Sequence, residues 1–186
     1  MLASLLAADA ALRAWLTTTH TPWLDAIMWT AGMAGQAGFV WVIIAAVAVR
    51  RRPNLAPQLW QLVLAIVLCS VLVDYVIKPA IARARPFDAI EAVRVVGYRP
   101  VTYSFPSGHA ASACAGAFVV TLMLPRARAW LWGLAALIAC SRVYIGVHYP
   151  LDILCGALVG LAVGVVVTGG RAWYSQGSLA TRSGAA

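Results

Sequence analysis

Leu59–Ile77 reads LWQLVLAIVLCSVLVDYVI and carries no charge before Asp74. A helix needs about 20 mostly apolar residues to cross a bilayer. Strands of a membrane barrel alternate apolar and polar positions instead, and this run does not alternate. It reads as a membrane helix. Four further stretches have the same character: 23–49, uncharged after Asp25; 107–124; 129–149, with Arg142 and His148 near its end; and 151–168, which opens with Asp152. The composition agrees, with 62% of the 186 residues apolar and 11% charged, against about 25% charged in a soluble domain. A soluble globule so poor in charge could not cover its surface, and disordered chains are polar and charged. The expected fold is all-α, a polytopic membrane helical bundle of about five transmembrane helices, because lipid tolerates only helices or closed barrels.

Residues 2–16 are too short to span and carry Asp9 and Arg13. They suit an N-terminal amphipathic helix lying in the interface. A single membrane-integral domain is expected over 1–174, followed by a small, polar, mobile tail over 175–186. Gly156, Gly160 and Gly164 recur every fourth residue, as do Gly108, Ser112 and Gly116. Small residues at this spacing let helices approach closely. Cys69, Cys114, Cys140 and Cys155 lie in apolar runs without a CxxC spacing, which points to packing rather than to disulfides or zinc.

The net charge is +8, from 14 Lys+Arg against 6 Asp+Glu. In a membrane chain basic loops orient the helices, so no nucleic-acid partner is expected. Arg50–Arg52 follow the first span, Arg126 and Arg128 the third, and Arg171 and Arg182 the fifth. Five spans put these on one side, which the positive-inside rule makes the cytoplasm. Arg13, Lys78, Arg83, Arg85, Arg94, Arg99 and Arg142 fall opposite, so the raw count is even and the dense triple-arginine loop decides. Trp60, Trp130, Trp132 and Trp173 near the inner ends, and Trp23 near the outer one, fit an aromatic belt.

A charge at the centre of a span costs about 2.5–3.5 kcal/mol, so the positions of the polar residues are informative. Asp74, Lys78, Arg83 and Arg85 end the second span. Ser107, Gly108 and His109 open the third, and Arg142, His148 and Asp152 bracket the turn between the fourth and fifth. Span parity brings all three places to one membrane face. Lys78, Arg85 and Arg142 there offer cations suited to phosphate. Ser107–Gly108, at a helix start, offers free backbone N–H groups. His148 and Asp152 are four apart and, if helical, share a face about 6 Å apart in rise. A carboxylate there would fix the imidazole tautomer and stabilise an imidazolium. Two histidines, cations and a helix start suit phosphoryl transfer, one histidine attacking phosphorus and the other protonating the leaving oxygen. His109, His148 and Asp152 have the types of a zinc triad, but three nearby cations favour an anion, and neither metal nor cofactor is expected. Asp74 is read as the i,i+4 partner of Lys78. Arg83, Arg94 and Arg99 are read as solvated surface, Asp25 and Gln36 as structural, and His20 as without a role.

Lys78–Pro86 reads KPAIARARP, Pro106–His109 reads PSGH, and Ser141–Asp152 reads SRVYIGVHYPLD. Together they resemble the three-part signature of the type-2 phosphatidic acid phosphatase superfamily: K-x6-R-P, P-S-G-H and S-R-x5-H-x3-D. The resemblance covers Lys78–Asp152 directly. It implies a helical bundle and a metal-independent mechanism through a phosphohistidine. By motif position it implies His148 as nucleophile, Asp152 as its orienter and His109 as general acid, with Lys78, Arg85, Ser107, Gly108 and Arg142 holding the phosphate. Many membrane relatives have six spans, and here the amphipathic 2–16 segment stands in place of the first, as in short bacterial undecaprenyl-diphosphate phosphatases.

The expected function is hydrolysis of a lipid phosphomonoester or diphosphate at the outer face of the inner (cytoplasmic) membrane. Undecaprenyl diphosphate is the favoured substrate. Phosphatidic acid and phosphatidylglycerol phosphate are alternatives, as is a phosphotransferase sharing the first half-reaction. The expected partners are the lipid phosphate and the surrounding membrane lipids. A small anion transporter would need polar groups along a path through the membrane, whereas here they collect at one end.

Overall fold

The computed structural model describes residues 2–169, with side chains from Ser4 onward. The expected tail at 175–186 and residues Arg171, Trp173 and Arg182 lie outside the described residues. Among the described residues all regular structure is helical: α1 (Leu2–Leu16), α2 (Pro22–Ala34), α3 (Phe39–Arg51), α4 (Ala56–Ser70), α5 (Lys78–Ile81), α6 (Pro86–Ala89), α7 (Gly108–Met123), α8 (Arg128–Tyr144) and α9 (Pro150–Val167). A π-helical stretch, Val71–Ile77, joins α4 to α5.

Helix α7 is the axis of the bundle. Ala110 through Ala117, Val119, Val120 and Met123 are all buried. Its alanines and glycines allow α9 to press directly against it. A Cβ on Gly156 would run into the carbonyl oxygen of Ser107, and one on Gly160 into that of Ala111. The four-residue glycine repeat is thus a packing surface, as its spacing implies. On another side of α7, the indole of Trp41, fully buried, fills the space a Cβ on Gly116 would need. Leu62, Ala65, Ile66, Cys69 and Val73 close the core from the α4 side.

The bundle turns large apolar side chains outward. Trp23, Phe39, Trp60, Trp130, Leu154, Leu158 and Val166 are all exposed. An apolar patch of this extent marks contact with something other than water, here lipid. Among the described residues two helical runs are long and apolar enough to cross a membrane, Pro53–Ala89 and Pro150–Val167. A third arises if α2 and α3 count as one span; α7 is apolar but shorter.

The first stretch, read as one span over 23–49, is two helices rather than one. α2 and α3 meet at a 55° bend. Ala37 (φ 48°) and Gly38 (φ 70°) adopt left-handed backbone there. Left-handed residues end a helix, and the glycines let the turn lie close to its neighbours, since a Cβ on Gly35 or Gly38 would collide with Ile138 or Ile66. The bend sets Ala37 beside the functional end of the molecule.

Helix α1 forms over the expected residues, but its polar side faces inward. Asp9 and Arg13 are buried while Leu5, Leu12 and Trp15 are exposed. Asp9 finds protein partners rather than water, which reverses the orientation expected of a helix lying on the interface.

The two ends of the bundle differ in kind. Arg52 meets Leu124–Ala127 at one end, so the triple-arginine loop and the Arg126–Arg128 loop share a side. The end of α5, the starts of α7 and α9 and the end of α8 gather at the other.

Candidate active site

The three motif regions converge on one cavity of about 260 Å³, lined among others by Asp74, Lys78, Arg85, Gly108, His109, Ser112, Arg142 and His148. The lining groups arrive from several elements. Lys78 starts α5 and donates from Nζ to Asp74 Oδ1 at 2.7 Å, the i,i+4 pair expected from the sequence. Gly108 and His109 form the first turn of α7, whose N-cap is Ser107. Arg142 lies in the last turn of α8 and is buried, yet its Nε has no protein partner. Lys78, Arg85 and Arg142 are thus three mostly buried cations around one cavity. Only Asp74 among the lining carboxylates offsets them.

Arg85 is fixed by a fan of acceptors. Its Nε donates to Thr102 O at 2.6 Å, Nη1 to Val147 O at 2.8 Å, and Nη2 to Thr102 Oγ1 and Tyr103 O at 3.1 and 3.2 Å. It therefore clamps the 102–103 loop to the residue before His148 while still lining the cavity. Burial pulls its guanidinium down to about 10.

His148 and Asp152 meet, but not along one helical face. His148 stands in the loop before α9, and Asp152 is the third residue of that helix. A capping interaction brings them together: Asp152 Oδ2 accepts the Tyr149 N–H at 2.9 Å. An N-terminal carboxylate bonding back to its own cap is a common helix-start device. The same oxygen lies 3.3 Å from His148 Nδ1. The other ring nitrogen, Nε2, faces Arg85 Nη1 at 3.4 Å. With Nδ1 carrying the proton toward Asp152, Nε2 is left with a lone pair at the cavity. Burial is the main reason the imidazolium is disfavoured, and the His148 pKa falls to about 4, although Asp152 opposes the shift.

Three site features escape the sequence reading. Ser104 is fully buried and its Oγ donates to Asp152 Oδ2; no motif contains it, and its place depends on how the 90–107 loop folds. Its N–H in turn donates to Arg83 O at 2.9 Å. Arg83 is not solvated surface. It pairs with Asp152 Oδ1 at 2.6 Å and with Asp9 Oδ2 at 2.7 Å. The third is Thr102, which lines the cavity. Ser107 belongs to the site in a different sense from Gly108. Its Oγ accepts from the Ala110 N–H at 3.4 Å and its own N–H donates to Asp152 O at 2.9 Å, so it joins α7 to α9 instead of lining the cavity. Asp25, read as structural, gathers His20 Nδ1, Tyr144 Oη and Arg94 Nη2 at 2.7–2.8 Å. His20 thus has a structural partner, and Arg94 is tied down at one end. Among the described residues no cluster of His, Cys, Asp and Glu has the arrangement of a metal site.

An all-helical bundle with an apolar outer face holds, at one end, a carboxylate-held imidazole inside a ring of cations. That defines an integral-membrane helical protein with a pocket suited to an oxyanion. The chain belongs to the PAP2 superfamily, whose family model matches residues 58–174. It is 40% identical over 103 residues to an undecaprenyl-diphosphatase of Sulfolobus acidocaldarius, covering 53% of this chain and 48% of that one. It is 34% identical over 144 residues to the decaprenylphosphoryl-5-phosphoribose phosphatase of Mycobacterium tuberculosis, covering 74% and 76%. The chain thus spans about half the length of the first of these relatives. Among solved structures it resembles the PAP2-type phosphatidylglycerolphosphate phosphatase of Bacillus subtilis, with a TM-score of 0.69 and 26% identity over 90% of this chain and 86% of that one.

Proposed function

We propose that this protein is an integral-membrane lipid phosphatase. It removes the terminal phosphate of a lipid diphosphate, or a lipid phosphomonoester, through a phosphohistidine on His148. The single observation that carries this reading is the His148 ring. Its Nδ1 is turned to Asp152 at 3.3 Å and its Nε2 toward the cation-lined cavity.

Lys78, Arg85, Arg142 and the free N–H groups at the start of α7 hold the non-bridging oxygens. Nε2 attacks phosphorus, and the bond from phosphorus to the leaving oxygen breaks. His109 gives that oxygen a proton. Asp152 stabilises the positive charge now on the phosphorylated ring. Water then attacks the phosphohistidine, His109 takes its proton, and inorganic phosphate leaves a neutral His148. The cations supply the charge that a metal would otherwise provide, so the reaction runs without a metal.

The bundle crosses the membrane five times: as the bent α2–α3 pair, as α4 through α5, and as α7, α8 and α9. The domain is single, over 1–174. The arginine loops at 50–52 and 126–128 face the cytoplasm, so the site faces outward from the inner membrane. An outward site and similarity to an undecaprenyl-diphosphatase favour undecaprenyl diphosphate, cleaved to undecaprenyl phosphate. The structural likeness to a phosphatidylglycerolphosphate phosphatase makes that lipid the competing substrate. Phosphate release from a detergent-solubilised panel of undecaprenyl diphosphate, phosphatidylglycerol phosphate and phosphatidic acid tests both parts. Release that His148→Ala abolishes, and fastest from undecaprenyl diphosphate, is the expected result. No release from any of them by the unmodified protein overturns the assignment.

A further inference from the structure

We infer that Arg83 is a positioning residue through which helix α1 sets the catalytic carboxylate, by way of the buried chain Asp9–Arg83–Asp152. The inference rests on the phosphatase reading above.

The two oxygens of Asp152 are divided. Oδ2 serves Ser104, Tyr149 N–H and His148 Nδ1, while Oδ1 faces Arg83 Nη1 at 2.6 Å. Arg83 does not reach the cavity. Its second nitrogen donates to Asp9 Oδ2 at 2.7 Å, and its guanidinium stacks 3.9 Å from the centre of the Tyr149 ring. The other oxygen of Asp9 accepts the Leu151 N–H at 2.8 Å, in the first turn of α9. One carboxylate of α1 therefore holds both the start of the helix bearing Asp152 and the arginine that pairs with Asp152. Asp9 and Asp152 are essentially excluded from water, at 4% and 0% exposure. Charges so placed act on one another with little screening. Burial pulls the Arg83 guanidinium down, and the two carboxylates more than reverse it.

The arrangement fixes signs. Arg83 next to Asp152 makes that carboxylate a weaker base and so lowers the stability of a protonated His148. Asp9 offsets part of the Arg83 charge and works the opposite way. The other charged or titratable groups around His148 and Asp152 are Arg85 and Tyr149 from the loops, Lys78 of α5, His109 of α7, Arg142 of α8, Cys155 of α9 and Arg13 of α1. All of them stay in place in the variants that test the chain.

The test is the acid limb of kcat/KM, which reports the essential base of the free enzyme. Phosphate release from farnesyl diphosphate in detergent is followed between pH 3.5 and 8, and each variant is divided by the unmodified enzyme to cancel the ionisation of the substrate. Arg83→Gln moves the limb up by about one pH unit, the size of a single close charge. Asp9→Asn moves it down, by less. The double variant, which restores the local net charge, returns it close to its original place. Arg83→Lys keeps the charge and leaves the limb within a few tenths while lowering kcat, because a single ammonium cannot bridge both carboxylates. Should Arg83→Gln fail to accumulate, Asp9→Asn and Arg83→Lys decide by the same signs. Shifts of like sign in the Arg83→Gln and Asp9→Asn variants, or a limb that neither moves, overturn the inference while leaving the phosphatase reading standing. Absence of release by the unmodified enzyme overturns the phosphatase reading itself.

Discussion

Replacing Asp152 by asparagine preserves shape and removes one charge, and the structure dictates why neither orientation of the amide works. In one, the carbonyl oxygen keeps the Tyr149 N–H, which lies 2.9 Å from Oδ2. The NH2 then faces Arg83 Nη1 at what was a 2.6 Å ion pair, donor against donor. In the other, the NH2 meets the Tyr149 N–H and donates to His148 Nδ1. The imidazole proton is then driven to Nε2 and the attacking lone pair is lost. Either way the positive ring of the intermediate loses its counter-charge. In a Ser-His-Asp triad the corresponding Asp→Asn change, which leaves the imidazole in the wrong tautomer, costs about 10⁴ in kcat, and a loss of roughly 10²–10⁴ is expected here. Asp152 does not line the cavity, so KM should change little. The assay is steady-state phosphate release with rapid-quench trapping of the phosphohistidine on the same preparation, and the variant should accumulate little intermediate. A kcat within tenfold of the unmodified enzyme, or an unchanged burst of intermediate, would refute the assignment of Asp152 to the ring.

Three further outcomes follow from the same geometry. Gly160→Ala drives a methyl group into the Ala111 carbonyl and should cost about 1–3 kcal/mol; a lower thermal midpoint in detergent, with less active enzyme, checks it, whereas Gly133→Ala, which meets nothing within 4 Å, should leave the midpoint unchanged. His109→Ala should slow a lipid diphosphate far more than an aryl phosphate with a good leaving group, since only the former needs its proton; equal losses on both would remove it from the acid role. Because burial holds His148 at about 4, the proposed nucleophile is neutral and competent above that value and is lost as the pH falls through it; once substrate ionisation is divided out, the acid limb should lie well below the ordinary imidazole value of about 6.5.

The candidate site was legible because its residues are anomalous in an apolar chain. Lys78, Arg85, His109, Arg142, His148 and Asp152 are expensive in lipid, so their positions at span ends carry information on their own. The glycine repeat of α9 was legible for a similar reason, since Gly156 and Gly160 are needed only where another backbone comes close. Ser104 and Arg83 were not legible. A serine in a loop and an arginine near a span end are ordinary in themselves, and nothing in their spacing tells that they meet one carboxylate.

What the amino-acid order determines alone is local: where hydrophobic runs begin and end, which polar groups sit at their edges, and by parity which edges share a side. Those follow from the cost of placing charge and unpaired backbone in lipid, which acts residue by residue. Only the packed molecule decides the rest. The close packing at the bend between α2 and α3 depends on Ile138 and Ile66, far off in the chain, with which a Cβ on Gly35 or Gly38 would collide. The inward turn of Asp9 depends on an arginine at position 83, and the meeting of His148 with Asp152 depends on a cap at Tyr149 rather than on a shared helical face. Each is a pairing of groups whose energy exists only once distant segments are in contact, and so no reading of one segment at a time contains it.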